Sequence, residues 1–396
     1  MTKTAAVIGG GPAGLMAAEM LAKAGVSVTV YDAKPSLGRK FLMAGKSGLN
    51  LTKDEGLEAI LEAYGAHSEE MRPMVSVFDA QKLQGWVRSL GQPLFIGSTR
   101  RVFPEAMKAS PLLRAWFERL DELGVTRLTR WKFNGWSGDG LQFDTLDGPQ
   151  LVQADATVLA LGGASWAKLG SDGQWAEIFE NKDIPTVPFG AMNVGLRVDW
   201  SPHMSKHFGG AIKGVTWSVN DQVSRGEAVV SMRGIEGGGV YSLSEALGAG
   251  ATLTVDLLPD VKLEDVAHRL FKPRGKTSLS NHLRKALRLS PVKIAILQDF
   301  GRPLPEDAGK LAELIKALPV PYTGLNPIDE AISTSGGVPW SELEPSLMLR
   351  EFPGIFCAGE MLDWAAPTGG YLINGCLATG RWAGISVIRY LGVEEE

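Results

Sequence analysis

Near the N-terminus, glycines recur at the spacing a dinucleotide phosphate requires. Gly9-Gly10-Gly11-Pro12-Ala13-Gly14 satisfies G-x-G-x-x-G, and its positions have separate mechanical roles. Gly9 permits a tight turn, Gly11 lets the main chain approach a pyrophosphate, and Gly14 lets the following helix pack closely on the strand. Pro12 is tolerated because a first-turn N–H has no intrahelical acceptor. With Ala13 it opens a helix whose free N–H groups and dipole offset phosphate charge. Asp32, 18 residues beyond Gly14, is placed to accept hydrogen bonds from an adenosine ribose.

A second acid lies near the other end of the chain. Glu360 follows the apolar run Ile355-Phe356-Cys357-Ala358 and Gly359, and a glycine-rich helix start follows at Gly369-Gly370. A parallel strand returning to the N-terminal sheet would bring Glu360 to the carboxyl edge, where open α/β sheets bind ligands. There Glu360 is expected to hold a ribityl hydroxyl, and the N–H groups around Gly369, Gly370, Tyr371, Leu372 and Ile373 to face a flavin ring. Reduced flavin gathers negative charge around N1 and the C2 carbonyl, which a helix N-terminus stabilises.

These groups need a sheet to position them. Ala5 to Ile8 read as a strand buried on both faces, Ala13 to Ala24 as a small-residue helix ending at Gly25, and Val26 to Val30 as a second strand. Gly38 to Thr52 hold three glycines and three cations and read as an irregular ligand-wrapping loop. In it Arg39 and Lys40 are expected to neutralise pyrophosphate, and Asn50 to donate to a heterocycle. Residues 56 to 123 read as largely helical, broken at Arg100-Arg101-Val102-Phe103-Pro104 before a helix from Pro111 to Leu123, and 125 to 152 as a β-meander. Another buried strand, from Ala156, ends in Ala160-Leu161-Gly162-Gly163, whose Ala160, Leu161 and Gly162 are expected at the cofactor. Gly170-Ser171-Asp172-Gly173 follows as a turn before a helix. Residues 191 to 262 read as strands and turns and 263 to 318 as helices with a basic face, from Lys272 to Lys293, that reads as solvated.

The totals exclude several functions. The chain has 396 residues, 40 basic and 44 acidic, and a net charge of −4, which gives no reason to expect nucleic acid or an acidic membrane as partner. Two cysteines, Cys357 and Cys376, make no disulfide framework, and five scattered histidines give no metal site. There is no export signal and no run of membrane-spanning length, so a soluble cytoplasmic protein is expected, with oligomeric state left open.

The stretches IGGGPAGLMAA, GRKFLMAGKSGLNLT, RRVFPEAMKAS, LALGGASWAKLGSDG and AGEMLDWAAPTGGYLINGCLATGRWAG together resemble the bacterial flavoproteins called YhiN-like or BaiN-like, NAD(P)/FAD-dependent oxidoreductases. The resemblance runs over almost the whole chain. It implies an α/β fold: a Rossmann-like two-dinucleotide-binding FAD domain interrupted by an inserted β-barrel-like plus helical domain. The expected boundaries are 1–190 with 323–396 for the FAD domain, 191–262 for the β-rich insert and 263–322 for its helical segment. It also implies a main-chain position near Trp131 against the adenine. Many members have Arg-Cys-Asn near Ser47 to Asn50, Tyr at Trp166 and Tyr-Asn at Tyr371-Leu372, so this chain departs from them in loops expected beside the flavin.

The expected activity is hydride or electron transfer through non-covalent FAD with a small-molecule substrate. Lacking a second full fingerprint, the chain offers no dedicated nicotinamide domain, which leaves two routes: NAD(P)H docking transiently on the flavin face as reductant, or direct oxidation of an amine or other small substrate with oxygen as acceptor. Arg101, Trp166, Trp364 and Tyr371 are the residues to look for at the substrate face. The alternative is a module with a structural flavin whose insert binds a protein or RNA, the basic helices being its support. An NAD-only dehydrogenase conflicts with the return segment ending in Glu360 and Gly370.

Overall fold

The structure is a computed structural model that describes residues 2–45, 48–138 and 140–394. Lys46 and Ser47 of the GRKFLMAGKSGLNLT stretch, and Asp139 of the expected Gly138–Gly140 turn, therefore lie outside the described residues. The chain divides into two compact units, residues 1–189 with 333–396, and residues 190–332.

The first unit is built on a five-stranded parallel sheet. At its centre β1 (Thr4–Ile8) is almost wholly buried, as its apolar run requires. It pairs with β2 (Ser27–Asp32) on one side and Ala156–Leu159 on the other, and the edges are Thr126–Thr129 and Ile355–Cys357. The register sets Ile8 opposite Tyr31 and Leu159, and Leu159 opposite Cys357. The residues that follow, from Gly9, Asp32, Ala160 and Ala358 onward, therefore emerge at one edge. Parallel neighbours need a crossover, and α1 (Pro12–Lys23) supplies it between β1 and β2.

Small residues let α1 lie close to the C-terminal helix Tyr371–Tyr390. A Cβ on Gly380 would stand 2.2 Å from the Ala13 carbonyl oxygen, and one on Gly384 3.0 Å from that of Ala17. On another side of α1, Glu19 is fully buried. Its carboxylate accepts from the indoles of Trp86 at 3.1 Å and Trp116 at 2.7 Å, from Arg119 at 3.2 Å and from Lys23 at 2.6 Å. Four donors offset the cost of burying the charge, and they tie α1 to the helices Ala80–Ser89 and Ala109–Glu122.

Local structure differs from expectation in two places. The supposed irregular loop contains a short helix, α2 (Arg39–Ala44), because Arg-Lys-Phe-Leu-Met-Ala holds no β-branched residue or proline between Gly38 and Gly45. The helical stretch from 56 to 123 encloses strands of a three-stranded antiparallel sheet made of Thr52–Lys53, Arg101–Pro104 and Leu94–Ile96. The alternation that buries Val102 and Pro104 but not Arg101 gives the middle strand its period of two. The meander is present as Lys132–Ser137, Gly140–Thr145 and Gly148–Val152.

The second unit has its own core around the fully buried Trp217. Its strands form two separate antiparallel sheets, one of five strands and one of four, where the resemblance implied a barrel-like insert. Two short helices, Gly238–Tyr241 and Ser244–Gly248, and four longer ones, Leu263–Leu270, Leu279–Leu287, Pro291–Phe300 and Ala308–Lys316, complete it among the described residues. The chain leaves this unit at residue 332 rather than 322, because Gly324–Leu325 pairs with Leu196–Arg197. Buried Lys293 donates to the carbonyls of Gly214 and Leu257, both at 2.8 Å, and so ties helix to loops. Among the described residues no helix is long and apolar enough to cross a membrane, and no metal-ligand cluster occurs.

Glu19→Ala leaves two indoles and a guanidinium without their acceptor and is expected to destabilise the protein by about 3–5 kcal/mol. Urea unfolding followed by tryptophan fluorescence should show a lowered midpoint; an unchanged midpoint would contradict this role.

Candidate functional site

At the carboxyl edge of the parallel sheet opens a cleft of about 720 Å³, within the size range of cofactor sites. Its floor is the glycine turn. Gly9 has φ +108°, and a Cβ there would lie 2.1 Å from the Ala160 carbonyl oxygen; a Cβ on Gly14 would lie 2.0 Å from that of Gly9. Gly11 is different: nothing stands within 4 Å of where its Cβ would be. Two glycines are required by packing, and the third faces open space at the start of α1.

Asp32 shapes this turn from the end of β2. Its Oδ2 accepts from Gly10 N–H at 2.9 Å and its Oδ1 from Lys34 N–H at 2.8 Å. Burial raises its pKa, against the opposing effect of these two N–H groups and of the Lys34 and Arg39 charges. Trp131 N–H donates to the Asp32 carbonyl at 3.0 Å, so the entry to the meander lines the same end of the cleft.

The opposite end is closed by an ion pair. Lys40 Nζ lies 2.7 Å from Glu360 Oε2 and donates to Ser165 Oγ at 2.8 Å. Glu360 Oε1 accepts from Thr334 N–H at 3.1 Å, and Thr334 Oγ1 accepts from Ala164 N–H at 3.3 Å. Lys40 is thus engaged with Glu360 rather than free for pyrophosphate. Arg39 is better placed to neutralise it, since it lines the cleft and its buried Nε has no protein partner. Ser171 Oγ, in the same wall, is likewise buried and unpartnered. Buried polar groups are rarely left unpaired, so both fit a polar ligand bound between them.

Of the expected cofactor residues, Gly9, Gly11, Pro12, Ala13, Asp32, Arg39, Lys40, Trp131, Ala160, Leu161, Gly162, Gly359 and Glu360 all line this cleft. Gly14 lies beneath it as a packing residue. Asn50, Gly369, Gly370, Tyr371, Leu372 and Ile373 are not in its lining; several of them gather around Thr52. A Cβ on Gly370, φ +93°, would stand 2.4 Å from Thr52 N, and Thr52 Oγ1 donates to Asn374 Oδ1 at 2.7 Å. The buried Asn50 Oδ1 has no partner. The C-terminal helix joins the two places, because Cys376 on it lines the cleft. Burial pushes the Cys376 thiol up, with Glu360 adding to the effect, so it stays protonated and is no nucleophile.

None of the four residues sought at a substrate face lines the cleft. Trp364 is a core residue: it is 1% exposed, donates to the Gly359 carbonyl at 2.9 Å and packs edge-on to Tyr64. Arg101 is exposed on the small antiparallel sheet, and Trp166 is half-buried outside the cleft with φ +65°. Tyr371 donates to Glu55 and accepts from Lys53 at 3.3 Å. Burial raises its phenol, and the bond to Glu55 adds to that, so the proton stays on oxygen. Sequence reasoning missed Lys34, Ser165, Ser171 and Thr334. Ser171 stands in a recognisable Gly-Ser-Asp-Gly turn, whereas Ser165 and Thr334 carry no local signal.

Relatives match along almost the whole chain. The chain is 25% identical over 394 residues to the ribosomal RNA dihydrouridine synthase of Escherichia coli, covering 93% of each. It is 25% identical over 419 residues to that of Haemophilus influenzae, covering 97% of this chain and 98% of the other. Among solved structures it resembles a flavocytochrome c3 fumarate reductase, with TM-score 0.53 and 18% identity, over 98% of this chain and 78% of that one. A 3-ketosteroid-Δ4-(5α)-dehydrogenase from Rhodococcus jostii matches with TM-score 0.56 and 15% identity over 97% of both chains. At that identity the likeness is one of fold alone. A family model, the HI0933-like protein Rossmann domain, matches residues 3–386, and with the glycine turn, Asp32 and the returning Glu360 already in place, the chain belongs to the HI0933-like family.

Proposed function

We propose that the cleft holds FAD non-covalently and that the protein is a FAD-dependent oxidoreductase. The observation that carries this reading is the open space over Gly11, bordered by the unpartnered Arg39 Nε and Ser171 Oγ. Gly9, Gly11, Pro12 and Ala13 would bring the start of α1 to the pyrophosphate, with Arg39 adding charge. Asp32 has lone pairs left for the adenosine ribose, and Trp131 would bound the adenine. Glu360, held by Lys40 and Thr334, would meet the ribityl chain, and the helix start from Gly370 to Ile373 would face the ring. Bound there, FAD would supply hydride transfer, the protein supplying orientation and electrostatics.

Without a second full fingerprint, NAD(P)H would dock transiently as donor. A small molecule fits the receiving side, as expected from the sequence. A second reading makes it a uracil ring in RNA, whose C5–C6 double bond would take a hydride and a proton. Two features favour it: the name of the relatives that match over more than nine-tenths of the chain, and a stretch of the second unit, 266–298, that carries eight cations and no acid. Anaerobic mixing of the purified protein with NADH, NADPH and a panel of amines tests the redox reading, with bleaching of the flavin band expected for at least one donor. A flavin that stays oxidised with all of them would favour the structural-flavin alternative instead.

Gly11→Val puts a branched side chain into the pyrophosphate space and is expected to give folded, colourless protein; normal flavin absorbance in that variant would contradict the placement. Glu360→Ala leaves Lys40 unpaired and removes an acceptor. The FAD dissociation constant is then expected to rise roughly 10- to 150-fold, equivalent to about 1.5–3 kcal/mol. An unchanged constant in titrations of the apoprotein would remove Glu360 from the site.

A further inference from the structure

We propose that the loop and helix face from Phe271 to Arg288 is a docking surface for single-stranded RNA, an inference that rests on the RNA reading of the substrate. From Val266 to Gln298 the chain carries 8 of its 40 Lys and Arg residues and none of its 44 acidic ones, although the whole chain has a net charge of −4. The nearest acids on the N-terminal side, Glu264 and Asp265, lie in the first turn of the helix Leu263–Leu270, at the end opposite Phe271.

Seven of the eight cations are exposed; the exception, Lys293, is consumed by the carbonyls of Gly214 and Leu257. Elsewhere in this unit three exposed cations have acidic partners, Arg225 with Asp260, Lys213 with Glu227 and Arg233 with Glu330. Arg197, Lys206, Lys262, Arg302 and Lys310 are exposed without an ion pair among the described residues but stand scattered along the chain. Among the described residues Arg269, Lys272, Arg274, Lys276, Arg284, Lys285 and Arg288 form no ion pair, and Arg284 is held by a hydrogen bond to Asn281 at 2.7 Å. A concentration of unpaired positive charge on an acidic protein is complementary to a polyanion.

The second feature separates RNA from other polyanions. Phe271 stands 81% exposed, more than any other large apolar side chain among the described residues, directly beside Lys272 and within five residues of Arg274 and Lys276. Aromatic faces interleaved with cations are how proteins hold unpaired strands: bases stack on the ring while the cations track phosphates. A duplex offers no free base face to Phe271. The surface therefore fits a loop or an unpaired segment, the form in which a base can be presented to a flavin.

The test uses the flavin-loaded full chain and a fluorescein-labelled, unstructured 20-nucleotide RNA, read by anisotropy across a salt series. Wild type should bind, more tightly than to the same sequence as a duplex. The triple variant Lys272→Gln, Arg274→Gln, Lys276→Gln should bind at least tenfold more weakly, and its log affinity against log salt should flatten by about 2, near 0.7 for each lost phosphate contact on a single strand. Phe271→Ala should lose roughly tenfold with little change in salt slope. None of these residues lines the cleft, so flavin content and bleaching by the reductant should be unaltered, which separates failure of this surface from failure of the flavin assignment. The proposal is overturned if wild type fails to bind at low salt, if the variants bind as tightly as wild type, if duplex binds as well as single strand, or if the basic loop is needed instead for binding phosphatidylglycerol vesicles.

Discussion

The ion pair between Lys40 and Glu360 joins residues 320 positions apart, and the ligand cleft depends on it. Lys40 belongs to α2, which follows closely on β2; Glu360 follows the strand that returns from beyond the second unit. Glu360 is 7% exposed and also holds Thr334 N–H, so a broken pair would leave a charge largely out of water, which is costly. The contact fixes the register between the two halves of a site built from opposite ends of the chain. It also engages the charge of Lys40, while Arg39, which lines the same cleft, keeps a buried Nε without a protein partner.

Close main-chain approach is the other constraint. Gly9 against Ala160, Gly14 against Gly9, Gly370 against Thr52 and Gly380 against Ala13 each bring chain segments nearer than a Cβ would allow. Gly11 alone among the fingerprint glycines has room in front of it. That contrast converts a sequence motif into a physical statement, because packing explains two of the three glycines and leaves the third facing open space in the cleft. Buried, partnerless polar atoms occur on Arg39 and Ser171, which line the same cleft from two other segments.

Much of this is legible in the sequence because the signals are local. The G-x-G-x-x-G turn, the buried run of β1 and the acid ending β2 lie within one βαβ unit, where spacing and geometry are tied together. The return of Glu360 is legible because a strand followed by acid and glycine repeats the logic of the first unit. What escapes is long-range or side-chain specific. Trp364 reads as a substrate-face residue, yet its indole is committed to the Gly359 carbonyl and its ring fills the space left by Gly375, neither of which spacing reveals. Arg101 reads as a break in a helical pattern, whereas it begins a strand whose partner at Thr52–Lys53 lies far off in sequence. Ser165 and Thr334 are invisible because their role exists only once Lys40 and Glu360 meet. The net charge of −4 likewise conceals a local excess of cations in the second unit.

The most direct test of the central claim is a crystal structure of the protein as purified, with its bound flavin retained. Density for FAD is expected with its pyrophosphate over Gly11, its adenosine beside Asp32 and Trp131, and its ring toward Gly370. Density showing the cleft filled by protein side chains, or a flavin bound away from both Gly11 and Glu360, would contradict it.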